Sequence, residues 1–207
     1  MISLFIDTSN ANVSISVVED KKIRSYVEEN IPNMHSALAT KFVKDALDMA
    51  GIDANEVDDI MVVSGPGSFT GVRIGVAIAK TYGYLIKKEI TPVSSLKMLA
   101  ISAKHDGVVM SLIPANKSNY YVAVYDNDLK ELTKEQFMDK EKVLVLCREY
   151  NPYIVGNSQS IIGTYKINKQ NLDILAIVDD YRDKEKVNYH KIVPNYLKLP
   201  QALEAKR

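Results

Sequence analysis

Gly65-Pro66-Gly67-Ser68-Phe69-Thr70-Gly71 joins two segments of opposite character, and their order decides the fold. Before it, Ile60-Met61-Val62-Val63 is a continuous apolar run, the pattern of a strand buried on both faces. After it, Thr70 to Ile86 reads as a helix whose only charges before the last turn are Arg73 and Lys80, seven residues apart and so on one narrow strip. Strand, glycine-rich loop and helix in that order place the chain among the α/β proteins. Along the helix Gly71, Gly75, Ala79 and Gly83 recur every four residues. An interior glycine costs about 0.5–1 kcal/mol relative to Ala, a cost that close backbone approach offsets, either to a neighbouring helix or to the sheet beneath.

Toward the N-terminus, residues 2–6 form an apolar run stopped by Asp7-Thr8-Ser9-Asn10, and Val13-Ser14-Ile15-Ser16-Val17 alternates with period two. The two read as a hairpin, with a third strand over Ile23 to Glu29. Residues 34–50 then follow a helical period that gathers Leu38, Ala39, Phe42, Val43, Ala46, Leu47, Met49 and Ala50 on an arc of roughly 180°. A helix that only covers a sheet needs about 100°, so this face is wide enough for a second surface. Gly51 is a stop signal. Beyond Ile86, Thr91-Pro92-Val93 leads to a short helix from Ser95 to Ala103, and a first lobe closes near residue 105.

The second lobe, 106–207, opens with a strand pair at Val108–Ile113 and Tyr120–Tyr125. It continues through a charged, weakly patterned stretch to two further expected strands, Val143-Leu-Val-Leu and Tyr153-Ile-Val, and ends in an extended Pro194-Asn-Tyr-Leu-Lys with a frayed tail. Composition narrows the function. Lys plus Arg and Asp plus Glu are 26 each, and residues 1–100 carry 10 basic and 12 acidic side chains, so no overall field or tail attracts a polyanion or membrane surface. The single Cys147 forms no internal disulfide, no stretch has the roughly 18 apolar residues of a membrane span, and the start lacks a basic segment before its short apolar run. The expected location is the cytoplasm.

Several residues carry both a chemical and a structural reading. The Gly65–Gly71 loop sits where anions bind at helix N-termini, but it lacks the lysine of a P-loop, and Gly71 falls one residue late for a dinucleotide fingerprint. A structural turn is the other reading, with Ser68 capping the helix. Asp7, Thr8 and Ser9 could orient phosphates through a metal ion, or could satisfy their own backbone in a tight turn. His35 opens the first helix without a second ligand one turn on, where Leu38 and Ala39 stand.

The run Gly65 to Gly75, with Gly65-Pro66-Gly67-Ser68-Phe69-Thr70-Gly71-Val72-Arg73-Ile74-Gly75, resembles the signature of the TsaB (YeaZ) family, with Val72 where Leu is usual. Asp7-Thr8-Ser9, His35-Ser36 and Pro194-x-Tyr-Leu extend the resemblance over nearly the whole chain. It implies an α/β actin-like/ASKHA (ribonuclease H-like) two-lobe fold with a degenerate second lobe. It also implies a non-catalytic scaffold or activator in threonylcarbamoyl modification of the tRNA adenosine next to the anticodon. By that resemblance the chain forms homodimers in isolation, pairs with a TsaD-like catalytic subunit through its first two helices, is joined by a TsaE-like ATPase, and meets tRNA only through the complex. The catalytic relatives hold a metal with two His on the first helix; only His35 is present here, with Ala37 and Thr40 where relatives often have Glu and Pro. No catalytic residue and no metal ligand is therefore assigned. Asp7, Thr8 and Ser9 are the candidates for a weak nucleotide site, with no cofactor otherwise expected. Leu38, Phe42, Met49, Gly71, Gly75 and Ala79 are the expected partner contacts. The alternatives are a kinase-like nucleotide-binding ATPase using Asp7 and the Gly65 loop, and a glycoprotease-like metallopeptidase, which needs a second ligand near His35.

Overall fold

The computed structural model describes residues 1–30, 36–116 and 118–198. The chain divides into two compact units, one made of Met1–Ser95 with Leu172–Pro194, the other of Leu96–Asn171 with 195–198. In the first, β1 (Ile2–Asp7), β2 (Asn12–Glu19), β3 (Lys22–Asn30), β4 (Asp59–Gly65) and β5 (Ile90–Ser94) form one sheet in the order β3-β2-β1-β4-β5. The β1–β2–β3 meander is antiparallel, and β4 and β5 add in parallel. Parallel neighbours need crossovers, and these are α1 (Ser36–Ala50) and α2 (Phe69–Ile86).

The continuous apolar reading of β4 is explained by its burial at every position. On one face of the sheet Leu4, Ile6, Val13, Ile15, Val17, Ile60 and Val62 meet Ala39, Val43, Ala46 and Leu47 of α1 and Val72, Val76 and Ala79 of α2. The strands alternate because one residue in two enters this layer.

The second unit has α3 (Ser95–Ala103), β6 (Val109–Pro114), β7 (Asn119–Tyr125), β8 (Glu131–Asp139), α4 (Lys140–Tyr150), β9 (Tyr153–Gly156), β10 (Ser160–Ile162) and β11 (Tyr165–Lys169), and its sheet runs β10-β11-β9-β6-β7-β8. Read from β8 through β7, β6 and β9 to β11, it repeats the order of the first sheet, with α4 in the place of α1. The place of α2 is taken by the three-residue β10. This is the α/β two-lobe, actin-like topology expected, with the second lobe reduced at that crossover.

Three expectations are corrected. Val143–Leu146 lies in α4: Asp139 caps it by accepting the Lys142 N–H at 2.9 Å, and Val143 and Cys147, four apart, are its buried side chains while Val145 is exposed. The weakly patterned stretch is the edge strand β8, paired with β7 from Asn119↔Asp139 to Tyr125↔Glu131. The single cut at residue 105 gives way to a discontinuous first unit, because α5 (Ile174–Tyr181) and the segment after it return to it. Ile174, Ile177, Val178 and Tyr181 are buried, the Ser94 N–H donates to the Tyr181 hydroxyl at 3.1 Å, and Val187 forms an antiparallel bridge with Ile90. Lys186 adds an ion pair at 3.1 Å with Asp59, which is fully buried. Residues 199–207, the expected frayed tail, lie outside the described residues.

Candidate functional site

The Asp7–Ser9 turn and the Gly65–Gly71 loop end adjacent parallel strands, so the topology brings them together. What they make is a packed joint. The Thr8 hydroxyl donates to the Gly71 carbonyl at 2.7 Å, the Ser68 N–H donates to the Ser9 carbonyl at 2.7 Å, and the Ser9 N–H donates to Asp7 Oδ1 at 2.8 Å. Asp7, Thr8 and Ser9 are all buried. Ser68 caps α2 as expected, accepting the Gly71 N–H at 3.2 Å. Burial pushes the Asp7 carboxyl above the usual carboxylate range, against the lowering effect of its hydrogen bond from the Ser9 N–H. Among the described residues, Ser9 Oγ is a buried hydroxyl without a hydrogen-bond partner. The turn reading of these residues accounts for their main-chain hydrogen bonds.

The glycine ridge of α2 faces this joint. A Cβ at Gly71 would overlap the Thr8 carbonyl oxygen, and one at Gly75 would overlap Thr8 Oγ1. The spacing therefore marks approach to the sheet beneath, the second of the two destinations that it left open. Gly71, Gly75 and Ala79, expected as partner contacts, are buried inside their own unit. The outward ridge of α2 lies two positions round, at Phe69, Arg73, Ala77, Thr81 and Leu85, all exposed. The Arg73 guanidinium stands 3.7 Å over the Phe69 ring, and Leu85 keeps 65 % of its surface open.

On α1 the wide apolar arc splits in the same way. Ala39, Val43, Ala46, Leu47 and Ala50 enter the core; Leu38 and Met49 remain 39 % and 66 % exposed, and Phe42 is half-buried at the edge. The helical wheel gave the arc but not this division, because it records angle and not which neighbour covers it. The signal that sequence reading passed over was Phe69 at the start of the outward ridge. His35 lies outside the described residues, and among those described no group of three or more His, Cys, Asp or Glu is placed to hold a metal ion.

A family model described as TsaD: tRNA N6-adenosine threonylcarbamoyltransferase matches residues 27–180. Over all of its length the chain is 32 % identical to the tRNA threonylcarbamoyladenosine biosynthesis protein TsaB of Bacillus subtilis (strain 168), of which 97 % is covered. The chain belongs to the TsaB family. It is also 27 % identical to the TsaB protein of Buchnera aphidicola subsp. Baizongia pistaciae, over 94 % of this chain and 96 % of that one. The solved structure of YeaZ from Pseudomonas aeruginosa matches with a TM-score of 0.78 at 24 % identity, covering 95 % of this chain and 99 % of the other, so the likeness is of fold. Family membership places this TsaB-family chain in tRNA threonylcarbamoyladenosine biosynthesis. No helix among the described residues is long and apolar enough to cross a membrane.

Proposed function

We propose that this chain is a non-catalytic scaffold of the threonylcarbamoyl-modification machinery, acting through the outward face of α1 and α2 on a TsaD-like catalytic subunit. In isolation the same face closes a homodimer; in the complex it supports recruitment of a TsaE-like ATPase, and tRNA is engaged within that assembly. The observation that carries this reading is the unspent apolar surface. Both helices have filled their side of the sheet, yet Leu38, Phe42 and Met49 on α1 and Phe69 and Leu85 on α2 remain outside, and the two helices pack side by side. Large apolar side chains left exposed along one pair of packed helices are the surface on which this reading rests. The joint at Asp7–Ser9 supports a role other than phosphate transfer, since the hydroxyl of Thr8 and the main chain of Ser9 are committed to α2 and its loop. Any nucleotide bound there is weak, and no cofactor is proposed.

Size-exclusion chromatography with light scattering tests this on the chain alone and mixed with its TsaD-like subunit. Met49→Glu and Phe69→Glu are the informative variants, because both side chains are exposed and neither supports the core. Wild type shifting from homodimer to a one-to-one complex, with both variants folded and monomeric, upholds the proposal. A monomeric wild type that ignores the catalytic subunit overturns it.

A further inference from the structure

At the C-terminal end of α2, three rings from two separate segments meet on the surface of the first unit. Tyr84, near the end of α2, lies 5.9 Å from Tyr189 and 6.1 Å from His190, and Tyr189 and His190 are 4.5 Å apart. Tyr189 is the anchor, since it packs partly buried against the core and its Cβ sits where a side chain on Gly83 would have to be. Tyr84 and His190 are different: Tyr84 keeps 53 % of its surface open and His190 is exposed. Neither is needed to close the core.

The angles between the rings matter. They are inclined at 79°, 60° and 56° to one another, so no two of them are stacked face to face. Elsewhere in the chain His105 and Tyr153 do the opposite, stacking 4.6 Å apart at 2° and covering each other. The surface trio thus has no ring stacked on the exposed Tyr84 and His190, although Lys87 stands over one face of Tyr84.

Cations also stand beside these rings. The two segments that build the cluster, 80–91 and 182–191, carry seven basic and three acidic side chains; Lys88, Arg182, Lys184 and Lys186 pair with Asp58, Asp179, Asp180 and Asp59, and the cations nearest the rings in space or sequence are Lys87 and Lys191. Lys87 stands 4.0 Å over the Tyr84 ring and 6.0 Å from that of Tyr189, and Lys191 follows His190 directly and is exposed. Open rings beside cations are the composition that holds unpaired nucleotides: the base stacks on a ring and the phosphate meets a cation.

We infer that Tyr84 and His190, with Lys87 and Lys191, form a contact for a single-stranded RNA segment, stacking one unpaired base and pairing its flanking phosphate. This goes beyond the scaffold role and does not depend on it, because the cluster shares no side chain with the Leu38–Met49 and Phe69–Leu85 face.

The test is fluorescence anisotropy of the full chain with a labelled unstructured oligoribonucleotide of about 12 nucleotides, at salt between about 50 and 200 mM. Tyr84→Ala and His190→Ala are each expected to weaken binding about tenfold, the loss of one stacking contact. Lys191→Ala is expected to reduce the slope of log affinity against log salt by about 0.7. Val145→Ala, on an equally exposed side chain of α4, is expected to leave affinity unchanged. Thermal melts confirm that the variants are folded. No binding by wild type at the lowest salt overturns the inference, as does equal binding by the Tyr84→Ala/His190→Ala double variant. If instead those variants lose the TsaD-like subunit in light scattering and keep RNA affinity, the cluster is a protein contact and the inference is equally overturned.

Discussion

Gly75→Ala is the perturbation that bears most directly on the joint between α2 and β1. In an open helix the exchange would gain about 1 kcal/mol from helix propensity. Here the added Cβ overlaps Thr8 Oγ1, while its next neighbours, Val62 Cγ2 at 3.5 Å and Thr8 Cβ at 3.6 Å, are at ordinary contact distance. Overpacking of this kind costs about 1–3 kcal/mol; taking about 2, less the propensity gain, the single variant is expected to lose about 1 kcal/mol. Thr8→Ala alone loses the 2.7 Å hydrogen bond to the Gly71 carbonyl, about 1 kcal/mol. The double variant removes the clashing atom and keeps the propensity gain, so its stability should return close to wild type, a coupling of about 2 kcal/mol. Urea denaturation followed by circular dichroism measures all four corners of the cycle. If Gly75→Ala is as stable as wild type, or if its cost is unchanged when Thr8 is already Ala, the glycine is not there to admit Thr8 and the account of the joint is wrong.

Asp7→Asn keeps an oxygen to accept the Ser9 N–H and removes a buried charge. Because burial raises the folded carboxyl above its ordinary value of 3.8, ionisation works against folding: stability falls as pH climbs from that value through the raised one. The variant should therefore gain on wild type as pH rises to neutrality, and denaturation curves that keep a constant gap from pH 3 to pH 7 would contradict this. Lys186→Ala strands the buried Asp59, whose other partner is the Thr91 hydroxyl at 3.1 Å. About 2–3 kcal/mol should be lost, less than for a fully buried pair because Lys186 is about one-third exposed, and Asp59→Asn in the same chain should restore most of it.

The first unit was legible because burial leaves a pattern in each of these elements. The alternation of β2 and the three-four spacing on α1 follow the positions that enter one apolar layer, and the continuous run of β4 follows from burial on both faces. The second unit lacks such margins. Val143-Leu-Val-Leu is four residues long and β-branched at two of them, too short to separate a strand from a helix by period. Its helix is decided by the Asp139 cap before it and by Asn151 after it, which takes the left-handed conformation at φ 42°. The edge strand β8 exposes much of both faces, so Glu131, Lys134 and Glu135 mask its alternation. The discontinuous first unit rests on Lys186, Val187 and Tyr181 reaching residues about 90 or more positions away, and no local pattern reports such contacts.

The two ridges of α2 explain why one short signature bears on both the fold and the proposed partnership. Gly71, Gly75, Ala79 and Gly83 occupy one line of the helix; Phe69, Arg73, Ala77, Thr81 and Leu85 occupy another, two residues round and so about 200° away. Removing side chains from the first line lets the helix settle onto Thr8 and fills the end of β1, where a phosphate would need open backbone. That settling directs the second line away from the sheet, and its Phe69, Ala77 and Leu85 are exposed. The reduced second unit lacks a helix at the corresponding crossover and so lacks both ridges. The features that make the glycine loop look like a phosphate cradle are therefore those that pack Thr8 against it and turn a partly apolar ridge outward, the face proposed for the partner contact.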